Sequence, residues 1–503
     1  MESIAMIQNL TQYDGIVYLS IASSAVVLFT VLKRLLSKQR LGEKEILQNG
    51  YKESNNSSMW KMQTSDYPLY ILPMKYLPSL RLDKRVDLPS HVHDQYQSKY
   101  TNAMCSSSFM KSTQIDLNNN LAAIIPDIIE EMNVAINREL PSSKGTLFPP
   151  SATIVSNSPD WQSIQAFEKL LRIIGSVSGR MNVGPEISRN TEWLDLYTQY
   201  PIDFFGSISA ITQWPSFLRP LIQYTLPQLR RVNQTKARLG EILAPEFEKR
   251  RKAENAKLKK KPNTMLQWVW DSSEEKNKSN EHQSMIHILA TVPTTYTVAF
   301  AATQALFDLA ARPEYIPILR EEFQSVLDSC NGNLTKEAFS KMTKLDSFMK
   351  ESQRITPLAL VSFERKALDQ VTLPDGTHIP KGAHIAAPSY HIGRDAQYFE
   401  DPDTFDGLRF HKLQQAEFEK TGKPSTKHQY VSVNETSLHF GYGLQACPGR
   451  WFAAIELKLL LGSILMEYDL ALEDAGEGRP KSEIDRFFIY PDPTKMVALK
   501  RRV

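Results

Sequence analysis

A chain of 503 residues that is 42% hydrophobic has ample material for a large core. Its 59 Lys and Arg against 56 Asp and Glu leave a net charge of +3, a balance that argues neither for nor against a nucleic-acid partner; none is expected. Three scattered cysteines, Cys105, Cys330 and Cys447, exclude a disulfide framework and fit a reducing compartment.

Residues 15–32 carry no charge, which is near the lower limit for a bilayer span, and Leu35 and Leu36 extend the run. Lys33, Arg34, Lys38 and Arg40 follow this run rather than precede it. That order favours a retained signal anchor over a cleaved leader and places the bulk of the chain in the cytoplasm. The expected organisation is a lumenal N-terminus over 1–14, a transmembrane anchor over 15–36, a polar linker over 37–65 and one large domain over 66–503. Asn9 and Thr11 form a glycosylation sequon on the lumenal side.

Within the large domain, residues 67–80 suggest short extended pieces around Pro73 and Pro78. Leu121, Ile124, Ile125, Ile128 and Met132 recur at helical spacing and predict a helix over 117–140. Ile164, Phe167, Leu170, Leu171 and Ile174 predict another over 161–175. The basic run 250–261 and the polar run 271–281 are expected as a solvated excursion, with the apolar segment 265–270 packed between them. A long helix rich in Ala and Thr is predicted over 285–311. Pro293 lies inside it and cannot donate to the carbonyl of Leu289, so the helix must open there. Glu351 and Arg354 stand three apart on one helical face, spaced to pair. Residues 371–379 form a hairpin with Asp375 and Gly376 at the turn. No internal repeat is present.

The most informative stretch is 440–450. Cys447 sits among Gly441, Gly443, Pro448 and Gly449, just ahead of an apolar helix over 451–466. Glycines let a backbone approach something flat, and a helix N-terminus favours the thiolate form of a cysteine. Such a thiolate suits a soft or borderline metal, haem iron in particular. Taken singly, each feature has a plainer reading: a small buried cysteine, a kinked core helix, a surface ion pair.

Together they resemble the cytochrome P450 family. Phe440, Gly443, Cys447 and Gly449 match its haem-binding loop. The resemblance makes Cys447 the metal ligand and places Phe440, Gly443, Gln445 and Gly449 around the cofactor. Gln445 stands where the family has an Arg or His that meets a haem propionate; it can hydrogen-bond but cannot neutralise charge. Segment 290–295 is similar to the family's central helix. Thr294 matches the threonine that helps deliver protons above the haem, and Pro293 takes the place of the family's acid. Glu351 and Arg354 match a buried pair that Arg409, in a segment similar to a later loop, joins as a structural lock. Ala290, Leu358 and Val361 would line the substrate pocket. No convincing Trp-x-x-x-Arg is found in the helix that usually meets a propionate.

The resemblance implies a mainly α (α+β) fold, a large helical domain with small β-sheets enclosing a haem, plus the N-terminal transmembrane helix. It implies a monooxygenase of the endoplasmic reticulum membrane, with its catalytic domain cytoplasmic, that holds haem b on a cysteine thiolate. Dioxygen would be used with electrons from NADPH, passed on by NADPH-cytochrome P450 reductase. The phrasing around 308–315 and 446–453 is most similar to fungal P450s of secondary metabolism, many of which oxidise terpenoid or indole-terpenoid skeletons. With no acid at 293, two alternatives stay open: rearrangement, dehydration or peroxide-driven oxidation, and a haem-binding protein of little activity.

Overall fold

The computed structural model describes residues 42–141, 160–256, 261–474 and 476–502. The expected anchor over 15–36 and the sequon at Asn9 lie outside the described residues.

The stretch expected as a linker contains regular structure. Glu43–Ser54 forms helix α1, with Glu43 and Glu45 in its first turn and Lys52 in its last, each sign placed to suit the helix dipole. Trp60–Gln63 forms strand β1, paired antiparallel with β2 (Pro68–Ile71). Regular structure therefore begins before residue 66, because Met62 alternates inward and finds a partner strand. Of the extended pieces expected over 67–80, only β2 is one. Met74–Tyr76 and Leu77–Leu80 are helical turns, with Pro78 at an N-terminal position where its missing N–H costs nothing.

Strand β3 (Val86–Asp87) leads into helix α2 (Leu88–Gln95), whose N–H at Ser90 is capped by the Asp87 carboxylate. Helices α3 (Ser107–Ser112) and α4 (Asn118–Glu139) follow. The helix expected over 161–175 begins instead as strand β4 (Trp161–Gln165) and becomes helix α5 only at Ala166–Val183. The first five residues are claimed by an antiparallel partner near the C-terminus, Met496–Lys500. Helix α6 (Thr191–Thr212) packs on α7 (Pro227–Asn255), which carries the start of the basic run. That run is therefore not wholly solvated: Arg250 is buried and paired with Glu246. Helix α8 (Met265–Ser272) buries Trp268 and Trp270, as the apolar segment requires.

The central element runs from Asn280 to Ala311: helix α9 (Asn280–Leu289), a π-helical turn over Val292–Tyr296, and helix α10 (Thr297–Ala311). Pro293 sits in that turn. Among the described residues this is the one helix long and apolar enough to cross a membrane, and 67% of its apolar window is buried in the fold. Its Ala302, Ala305, Leu306 and Leu309 share one core with Ile174 and Val177 of α5 and with Leu460 and Leu461 of a late helix. Each fully buried Leu contributes about 1.5–3 kcal/mol, so this shared core fixes the central helix firmly.

Helices α11 (Tyr315–Ser329) and α12 (Thr343–Ile355) precede strand β5 (Ser362–Ala367) and the predicted hairpin, β6 (Val371–Thr372) with β7 (His378–Ile379). Gly376 takes φ +83° at its tip. Strand β8 (His384–Ala387) completes a five-stranded sheet of order β1-β2-β8-β5-β3, parallel only between β2 and β8. Helices α13 (Arg409–Thr421) and α14 (Arg450–Glu467) then lead to strands β9 (Tyr468–Leu472), β10 (Ser482–Asp485), β11 (Phe488–Pro491) and β12 (Met496–Arg501).

Candidate active site

The loop ahead of α14 closes on itself. The Cys447 N–H donates to the Phe440 carbonyl at 2.7 Å, and the Arg450 guanidinium donates to the Cys447 carbonyl at 2.6 Å. Cys447 is enclosed by protein yet open to an internal cavity. Burial pushes its thiol pKa up, while the N–H groups of Gly449 and Arg450 and the Arg450 charge pull it down.

That cavity has two lobes, of about 350 Å³ and about 530 Å³, and Cys447, Gly449, Thr294 and Leu358 line both. Phe440 and Gln445 line the smaller lobe, and Ala290 lines the larger. The larger lobe is walled by Tyr96, Phe204, Phe205, Tyr296, Phe300 and Phe488. Tyr296 and Phe300 lie with ring centroids 4.4 Å apart. Cys447 and the π-helical turn thus open on one space, and the Thr294 hydroxyl at that turn donates to the Ala290 carbonyl at 2.7 Å.

Two expected residues lie elsewhere. Val361, just ahead of β5, is 2% exposed and lines neither lobe; it is buried in the protein instead. Gly443 also lines neither lobe. A side chain there would overlap the Arg81 carbonyl, so the protein's own backbone demands this glycine. Gln445 is engaged by its surroundings: its amide oxygen accepts from the Leu88 N–H at 3.0 Å, and its amide nitrogen donates to Asp87 at 3.1 Å.

The lock residues come together. Arg354 donates to both oxygens of Glu351, at 2.8 and 2.7 Å, and to the carbonyls of Gly393 and Pro402, both at 2.6 Å. Arg409 donates to Glu351 at 3.2 Å, and the Asp406 N–H donates to it at 2.9 Å. Glu351 and Arg354 are 0% and 1% exposed, so only this mutual satisfaction makes their burial tolerable.

Arg365 escaped the sequence reading. It lines the smaller lobe, is 3% exposed, and burial pulls its pKa down to about 10. One terminal guanidinium nitrogen donates to the Glu364 carbonyl at 2.7 Å, while the second terminal nitrogen is buried without a partner among the described residues. A buried, unmatched guanidinium donor calls for an anion. The residues therefore fit a haem: a thiolate for iron and a cation for a propionate at the edge of the same lobe. The signal was present in strand β5, where alternation puts the charged Arg365 at an inward position between Phe363 and Ala367.

Residues 199–498 match the family model for Cytochrome P450. The chain is 34% identical over 463 residues to cytochrome P450 monooxygenase braC of Annulohypoxylon truncatum, covering 91% of this chain and 88% of that protein. It is 34% identical over 460 residues to cytochrome P450 monooxygenase BOA4 of Botryotinia fuckeliana, covering 90% and 88%. The fold is similar to that of retinoic acid bound cyanobacterial CYP120A1, with a TM-score of 0.65 at 16% identity, over 90% of this chain and 94% of that one.

Proposed function

The chain belongs to the cytochrome P450 family, and from that premise we propose that it is a haem-thiolate monooxygenase oxidising a lipophilic terpenoid or indole-terpenoid. When bound, haem b would supply the dioxygen-activating chemistry, and the Cys447 thiolate would hold its iron. Arg365 would hold a propionate, and the Gly449 and Arg450 N–H groups favour the thiolate charge. The Thr294 hydroxyl donates to the Ala290 carbonyl, and its oxygen at the cavity wall would hold a proton-delivering water. The aromatic walls of the larger lobe exclude water and orient an apolar substrate. Electrons come from NADPH through NADPH-cytochrome P450 reductase docking on the Cys447 side. Residues 15–36 anchor the protein in the endoplasmic reticulum membrane, with the catalytic domain cytoplasmic.

The observation that carries this reading is the opening of Cys447 and Thr294 onto one cavity whose wider lobe is aromatic. The carbon monoxide difference spectrum of the reduced protein in microsomes tests it. A strongly red-shifted, thiolate-type Soret band is expected; no band in well-expressed protein would sink the reading. Pro293 at the turn favours one second reading, rearrangement or peroxide-driven oxidation without the reductase cycle. Turnover that persists without NADPH distinguishes it.

A further inference from the structure

The larger lobe is one-sided in charge. Among the described residues that line it none is Lys, Arg or His, and Asp485 is the only carboxylate. Cys447, as a thiolate, adds a second negative charge. Asp485 ends β10 directly opposite Phe488 of β11, and Glu483 stands opposite Tyr490. Cross-strand partners share a face, as do residues two apart on a strand. Asp485, Phe488 and Tyr490 therefore project from one face of the hairpin, and all three line the lobe. Burial raises the Tyr490 pKa, and the Asp485 and Glu483 charges raise it further, so both carboxylates lie near its hydroxyl.

Asp485 forms no ion pair among the described residues, and the adjacent Arg486 is directed elsewhere, donating to the Thr212 hydroxyl at 2.8 Å. Beside the carboxylate, aromatic rings close a circuit. Phe205 lies 5.5 Å from Phe488 and 5.7 Å from Tyr296, centroid to centroid. Phe300 lies 4.4 Å from Tyr296 and 6.1 Å from Tyr490. Phe488 and Tyr490, two apart on β11, complete the circuit, and all five rings line the larger lobe. The face of an aromatic ring carries partial negative charge and attracts a cation, most strongly once the cation has left water. Five such rings next to a carboxylate without a counter-ion suit a positive nitrogen on an apolar skeleton.

We propose that the larger lobe selects a lipophilic cation, a skeleton bearing a protonated amine or a quaternary ammonium, and that Asp485 sets this preference. The inference rests on the haem-thiolate reading above and narrows its substrate class. The hydrocarbon part fills the lobe, and the positive nitrogen sits among the five rings beside Asp485. A lipophilic carboxylate meets only negative charge there and is turned away. A neutral alcohol of the same length gains and loses nothing from Asp485.

Haem-loaded protein is titrated at low ionic strength with dodecyltrimethylammonium, dodecanol and dodecanoate, each kept below its micelle-forming concentration. A quaternary ammonium has no lone pair for iron, so its Soret shift reads occupancy of the lobe alone. The ammonium is expected to bind on the order of tenfold more tightly than the alcohol, and the carboxylate more weakly than either. Asp485→Asn is expected to remove the ammonium's advantage and leave the alcohol unchanged. Asp485→Lys is expected to reverse the order of the two ions. Wild-type protein that binds ammonium and alcohol alike, or an Asp485→Asn variant that weakens all three probes equally, would overturn the proposal. Equilibrium dialysis of the same probes reads affinity without the haem signal. A missing thiolate-type band in the wild type would thus sink the haem-thiolate reading by itself, while the dialysis still decides the charge preference.

Discussion

The carbonyl of Arg81 occupies the space in which a side chain at Gly443 would begin, and it accepts the Leu444 N–H at 3.0 Å. Gly443 itself takes φ +75°. A positive φ costs a non-glycine residue about 1–2 kcal/mol, and overlap with backbone adds to that. Gly443→Ala is therefore expected to open the cysteine loop. Purified protein would show a lowered thermal midpoint and little thiolate-type carbon monoxide band.

The lock offers a graded test. Arg354→Ala strands a buried Glu351 carboxylate and two backbone carbonyls, a change expected to cost about 3–5 kcal/mol. Arg409→Ala removes one longer bond to the same carboxylate and is expected to cost less. Urea unfolding followed by circular dichroism separates the two; equal losses would count against a triad centred on Glu351.

Arg365 should separate stability from cofactor retention. Its unpartnered nitrogen is a penalty to the cofactor-free fold, so Arg365→Ala is expected to leave that fold as stable or more so. The same variant is expected to lose haem to an apo-globin acceptor on the order of tenfold faster. Unchanged haem loss would remove Arg365 from the cofactor site.

Leu358 and Val361 predict opposite phenotypes from neighbouring positions. Leu358→Trp fills space shared by both lobes and should weaken binding of lipophilic ligands while leaving the carbon monoxide band intact. Val361→Ala should lower stability by about 2 kcal/mol and leave ligand binding alone. Spectral titration and thermal melts of the two variants decide the assignment.

His287 sets a pH dependence. Its fully buried ring has a pKa pulled down to about 3 by burial, from an ordinary 6.5, with the Arg250 charge adding to the effect. Below pH 6.5 the unfolded chain takes up this proton and the native fold does not. The stability His287 confers is thus full above pH 6.5 and is lost as pH falls toward 3, at up to about 1.4 kcal/mol per pH unit. His287→Gln is expected to flatten that slope in denaturation curves taken between pH 6.5 and 4.5.

What could be read in advance follows from how local each feature is. The helix over Asn118–Glu139 announced itself through apolar spacing, and the β6–β7 hairpin through Asp375 and Gly376. Strand β4 did not, because Trp161–Gln165 is extended only by virtue of pairing with Met496–Lys500. Cys447 and Thr294 were legible from motif and order, and the structure opens both on one cavity. The glycine at 443 was visible, but its reason was not, since Arg81 approaches it from far away in the chain. Arg365 was missed because a charged residue at an inward strand position reads as a flaw until the cavity beside it is seen.

The pairing of β2 with β8 also dictates a timetable for synthesis. Leu69 meets His384, and Asp87 meets Gln445, a partner 358 positions away. On a ribosome, β1 and β2 can form their hairpin early, but one side of β2 stays unpaired until β8 emerges much later. The cysteine loop then waits for nearly the whole polypeptide. A chain released before residue 384 carries a bare strand edge and lacks Cys447. Completion of the cysteine loop is consequently one of the last events in the synthesis of the chain.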